Sequence, residues 1–186
     1  MKLICTVAAI AALLIIFPYA RIFVKRIVLL CKIRSHSKRA GVKLIPHGHF
    51  WWLGGRHGKS WDFAIEKQNE ILIVKLFGMK KHSDVLYFIK GGDYMVRKHL
   101  ALMSRLGIPA MIPVDSSIHS LKNYDFRKDL PDSWYTKPQR KILLIHPTCH
   151  EIRLKISANE IPYLGAGDTV EGMEIYSLSR LLGILI

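Results

Sequence analysis

From Leu3 to Ala20 the chain runs for 18 residues without a charged side chain. As a helix this stretch is about 27 Å long, close to the roughly 30 Å hydrocarbon core of a bilayer. Ile22, Phe23 and Val24 lengthen it if Arg21 snorkels to the interface. A chain of 186 residues that kept this stripe inside would fill most of one small core with it. The expectation is a transmembrane signal anchor over residues 1–24. A cleaved signal peptide and a buried core helix are the competing readings. The first is opposed by the ending Pro18-Tyr19-Ala20-Arg21, which is not a small-x-small site, and by an apolar run longer than a signal-peptide core.

Charge then orients the segment. The chain has 28 Lys and Arg against 14 Asp and Glu, a formal net charge of +14. Lys2, Arg21, Lys25, Arg26, Lys32, Arg34, Lys38 and Arg39 place +8 of it in the first 39 residues, which contain no acid. Because the cations crowd the C-terminal flank of the apolar run, the positive-inside rule puts the body in the cytoplasm. The expected location is the cell membrane, single-pass, with a cytoplasmic body.

Residues 25–40 read as a basic juxtamembrane segment. Arg21, Lys25, Arg26, Lys32, Arg34, Lys38 and Arg39 are its membrane-surface candidates, each worth about 1 kcal/mol beside anionic head groups. Nucleic acid is a second, less favoured partner for Lys32 to Arg39, since a basic run next to a span usually faces lipid. A protein partner is also open. Cys5, Cys31 and Cys149 are too few for a disulfide framework, so free cytoplasmic thiols are expected.

Residues 41–186 change character after Gly41, with short apolar runs separated by turn residues. Val42 to Ile45 is strand-like, and Trp61 to Glu66 and Ile71 to Phe77 read as a hairpin about Lys67 to Glu70. Val85 to Ile89 and Tyr94 to Arg97 form a second hairpin around Gly91-Gly92-Asp93. His99 to Leu106 suggests a short helix, residues 115–140 a polar connection, and Lys141 to Ile145 an apolar strand. Over Ile175 to Leu185, Leu178, Leu181, Leu182 and Leu185 share one helical face and predict a docked terminal helix. The fold class expected is α+β, a mainly antiparallel β-rich domain with a C-terminal helix behind a transmembrane helix.

Gly54-Gly55-Arg56-His57-Gly58-Lys59-Ser60 has three residues between Gly54 and Gly58 where a P-loop needs four, and it leads into a strand rather than a helix. It is a glycine-rich turn whose Arg56, His57 and Lys59 can still bind an anion. Of Trp51 and Trp52, alternation sends one to the surface, where it can line a groove.

Asp62, Glu66 and Lys75 are candidate catalytic residues. An Asp on one strand with an acid-x-Lys on the next resembles the restriction-endonuclease-like core, which implies carboxylates on Mg²⁺ and a lysine steadying the attacking water. The position two before Lys75 is Ile73, so one carboxylate is missing. His47, His49, His146, Cys149 and His150 are donors that suit Zn²⁺, though not at a standard spacing. Mg²⁺ and Zn²⁺ enter only through these alternatives.

His49-Phe50-Trp51-Trp52, Trp61-Asp62-Phe63, Val74-Lys75-Leu76-Phe77-Gly78, His150-Glu151-Ile152 and Ser177 to Gly183 together resemble a group of small, uncharacterised bacterial membrane-anchored proteins. The resemblance implies a cytoplasmic-face β-rich domain and brings no activity. The function expected is a membrane-anchored cytoplasmic binding or interaction module, with a membrane-tethered metal-dependent nuclease or hydrolase as the alternative.

Overall fold

A computed structural model describes residues 24–47, 61–78, 84–99, 111–113, 119–123, 125–127, 130–157 and 159–185. The apolar run 3–20 lies outside them, and among the described residues no helix is long and apolar enough to cross a membrane.

Helix α1 covers residues 24–39. Its apolar positions Leu29, Leu30 and Ile33, with the small Ser37, recur at helical spacing and are buried along one face. The helix stops at Gly41, whose positive φ of 68° lets Val42 N donate back to Ser37 O at 2.9 Å. The chain then enters β1 (Lys43–Pro46), β2 (Phe63–Glu66) and β3 (Ile71–Gly78). Strands β4 (Asp84–Ile89) and β5 (Asp93–His99) meet at a turn where Gly91 and Gly92 take φ of 102° and 89°, values a side chain rarely tolerates. There follow β6 (Met111–Pro113), β7 (His119–Ser120), β8 (Gln139–His146), β9 (Glu151–Lys155), β10 (Thr169–Val170) and β11 (Met173–Ser177). A short helix α2 (Leu178–Gly183) ends the fold, capped at Ser177, whose hydroxyl accepts from Arg180 N.

These elements make three layers. Sheet A has the order β1-β2-β3-β8-β11-β10, and sheet B the order β6-β5-β4-β9 with β7 beside β5. Most pairs are antiparallel, but β3–β8, β8–β11 and β4–β9 are parallel. One face of sheet A (Phe63, Ile65, Leu72, Val74, Ile142, Leu144) is covered by both helices through Leu29, Leu30, Ile33, Leu181 and Leu185. The other face (Ala64, Ile71, Ile73, Phe77, Leu143, Ile145) packs on Leu86 and Phe88 of sheet B. The molecule is an α+β domain, rich in strands, with a C-terminal helix.

Four expectations change in detail. The basic segment 25–40 shares a core with the body, because Leu29, Leu30 and Ile33 complete the apolar cover of sheet A. Ile175 to Ser177 is strand rather than helix, since parallel pairing to Leu143, Leu144 and Ile145 satisfies its backbone first. His99 ends β5, so the short helix expected from there lacks its first residue, and 100–110 lie outside the described residues. The polar connection 115–140 sends Leu121, Phe126, Leu130 and Trp134 into the inter-sheet core. Their irregular spacing hides this role from periodicity.

At the end of sheet A where β8 begins, Arg140 ties β8 to β11 and to the turn before β3. Its Nε and Nη2 donate to Glu174 at 2.7 and 2.6 Å, Nη1 to Glu70 at 3.3 Å, and Nη2 to the Tyr176 hydroxyl at 2.8 Å. Hydrogen bonds from Arg140 hold the Glu174 carboxyl below its ordinary value. For Glu70 partial burial pushes the other way but is outweighed by Lys67 and Arg140. A carboxylate depressed in the folded state contributes stability that is complete above its unfolded pKa and is lost as pH falls through its folded pKa. The melting temperature is therefore expected to fall as pH is lowered below about 4.5, the ordinary value for both groups. Glu174→Gln should flatten this slope and lower the neutral-pH Tm by about 2–4 °C per kcal/mol lost. An unchanged acid slope in thermal melts of Glu174→Gln would refute the role of this cluster.

Candidate functional site

The register of the β2–β3 hairpin pairs Phe63 with Val74 and Ala64 with Ile73. One step further it sets Asp62 opposite Lys75, which faces sheet B because its β8 partner is the inter-sheet residue Leu143. Lys75 Nζ lies 3.4 Å from Asp62 Oδ2, the two side chains being 4% and 10% exposed. The same oxygen accepts from Leu76 N at 2.7 Å. Two of the three candidate catalytic residues thus meet in a nearly dry ion pair.

Burial is the dominant influence on both charges. It pushes the Asp62 carboxyl up against the opposing pull of Lys75, the Leu76 N–H and Arg26. It pushes the Lys75 ammonium down, with Asp62 acting against this and Arg26 reinforcing it. Arg26, half-buried on α1, is therefore not a plain surface cation as its place in the basic segment suggested. Its charge acts on the buried pair from the helix layer.

Other donors gather at the same end of sheet A. β1 ends beside Phe63, and β3 and β8 run parallel to end at the paired Gly78 and His146. His47, 9% exposed, stacks edge-on against Trp61 with centroids 4.5 Å apart, and its backbone N–H donates to Asp62 O at 2.9 Å. Trp61 in turn tilts against Trp134 at 5.7 Å, so it serves the core.

Glu66 does not join them. Four residues along β2 from Asp62, it lies about 13 Å away at the other end of the strand and pairs with Lys137 at 3.0 Å. Ile73, where the nuclease pattern needs its second acid, is fully buried in the inter-sheet core. Asp62 and Lys75 alone do not fit a magnesium site: one carboxyl, closed onto an ammonium, leaves too few oxygen donors for Mg²⁺. Among the described residues no three His, Cys, Asp or Glu side chains come together as a metal site. His49, Trp51, Trp52, Arg56, His57 and Lys59 lie outside the described residues, as does Arg21.

Two charged arrangements escaped the sequence reading. One is the Arg140 cluster, whose partners are 34 and 70 residues away. The other is the outer face of sheet B, where alternation along β4, β5 and β9 puts Tyr87, Arg97 and Arg153 on one side. The β4–β5 hairpin is legible in the sequence, but the parallel pairing of β9 with β4 is not. Comparison of the chain with protein-family models, curated proteins and solved structures finds no match.

Proposed function

We propose that the chain is a single-pass membrane protein whose two-sheet domain acts as a binding or interaction module held at the cytoplasmic face. The observation that carries this reading is the two-sided character of α1. One side is committed to sheet A through Leu29, Leu30 and Ile33, while Lys25, Lys32, Arg34, Lys38 and Arg39 are exposed and no acid stands on the helix. A rigidly docked helix carries its cations at fixed positions, which favours attraction to an anionic leaflet over the averaging of a flexible basic tail. Val24 and Val28, 55% and 49% exposed, sit one turn apart near the start of the described helix, next to the apolar run.

Topology is tested by Ser133→Cys, an exposed position, in a Cys31→Ser background. In intact cells an impermeant maleimide should leave the introduced thiol unlabelled until the membrane is permeabilised. Efficient labelling of intact cells would overturn the cytoplasmic placement.

A second reading, a membrane-tethered metal-dependent nuclease or hydrolase, is favoured by one observation, the meeting of Asp62 and Lys75 across the hairpin. It requires a second carboxylate that the described residues do not bring to the pair.

A further inference from the structure

On the side of sheet B away from the core, Tyr87 and Ile89 of β4, Met95 and Arg97 of β5, Lys155 of β9 and Ile161 of the following segment line a cavity of about 180 Å³. The odd-numbered strand residues face outward because Leu86, Phe88, Val96, Ile152 and Leu154 face the core. Register fixes the arrangement: Tyr87 pairs with Met95 on one side and Arg153 on the other, and Ile89 pairs with Lys155. Ile161 arrives because the chain after β9 doubles back, with Leu154 N donating to Pro162 O and Leu164 N to Ile152 O.

Charge on this face is unevenly satisfied. Arg153 stacks 4.5 Å from the Tyr163 ring and donates to Glu151 and to the Tyr163 hydroxyl, so its fork is occupied. Arg97 lies over the Tyr87 ring at 5.2 Å, and its Nε is buried without a hydrogen-bond partner. Among the described residues neither Arg97 nor Lys155 has an acidic partner, and no acid lines the cavity. Asp93, opposite Ile89 in the register, stands at the turn end of the face and is not part of the lining. The buried Nε is closed to a ligand, but Arg97 lines the cavity, and the terminal nitrogens of its planar fork match a carboxylate.

Size narrows the ligand. The volume falls below the roughly 300 Å³ at which drug-sized pockets begin. A small planar acid fits this space. We infer that this cavity binds a small organic carboxylate, its anionic head on Arg97 and Lys155 and its short apolar or aromatic body against Tyr87, Ile89, Met95 and Ile161. The site is independent of the membrane reading, which concerns the far side of sheet A.

The test is a titration of the ¹⁵N-labelled full chain in detergent micelles with benzoate, benzamide and inorganic phosphate. Benzoate should give saturable amide shifts on β4, β5 and β9, with benzamide and phosphate each at least about tenfold weaker, the loss expected for a charge-assisted pair or its apolar counterpart. Arg97→Gln should weaken benzoate by about tenfold or more. Should Arg97→Gln fail to fold, exposed Lys155→Gln reads the same head-group contact. No saturable response to benzoate, equal binding of benzamide or phosphate, or unchanged affinity in the folded variants would each overturn the assignment.

Discussion

A stop codon after Ser177 is expected to give an insoluble or protease-sensitive domain. The deleted segment contains Leu181 and Leu185, 0% and 3% exposed, together with the partly buried Leu178 and Leu182. Full burial of a leucine is worth about 1.5–3 kcal/mol, so the two buried ones alone contribute about 3–6 kcal/mol. The whole domain holds a margin of about 5–15 kcal/mol. Losing α2 also uncovers Leu144 and Tyr176 on sheet A, which then become sites for association. A stop after Met173 is harsher, because it removes β11 from between β8 and β10. Leu181→Ala grades the effect at about 2–5 kcal/mol through the cavity it leaves. A chain ending at Ser177 with unchanged solubility and melting temperature would show that α2 contributes nothing to the core.

Breaking the Asp62–Lys75 pair from one side is the second large effect. Lys75→Met leaves the carboxyl of Asp62 with the Leu76 N–H and the more distant charge of Arg26, and Asp62→Ala removes the carboxylate beside an ammonium that is 4% exposed. Each single substitution should cost about 3–5 kcal/mol in urea or thermal unfolding. The double variant Asp62→Leu/Lys75→Met should recover most of that loss, since removing both charges also removes both desolvation penalties. If the double variant loses the sum of the singles, the pair is not coupled as the contact implies. The same variants address the catalytic reading: a nuclease or hydrolase loses magnesium-dependent cleavage in Asp62→Asn, and a parent chain with no such cleavage across metals removes the reason for that reading.

The two arms of the β2–β3 hairpin are legible because two apolar runs flank a polar turn at Lys67 to Glu70, and the register they adopt opposes Asp62 to Lys75. Glu66 misleads because sharing a face is not sharing a site. A strand separates same-face residues four apart by about 13 Å, and Lys137, distant in sequence, is there to take it. The leucine stripe of α2 is legible from its spacing, yet its first turn starts later than the spacing implies. Ile175 to Ser177 suits either a helix or a buried parallel strand, and only the presence of β8 decides between them.

By itself the sequence determined the local features: the apolar run and its basic flank, the two hairpins, the strand-rich class and the terminal helix. These depend on periodicity, turn residues and charge within a few residues of one another. Tertiary structure alone decided that α1 belongs to the core, that β8 enters sheet A parallel to β3, and that Arg140 collects Glu70 and Glu174. It also decided that residues 121–134 plug the space between the sheets and that an Arg97–Lys155 cavity opens on sheet B. Each of these joins groups far apart along the chain, and such contacts follow from which apolar faces cover one another, a choice that no local pattern encodes.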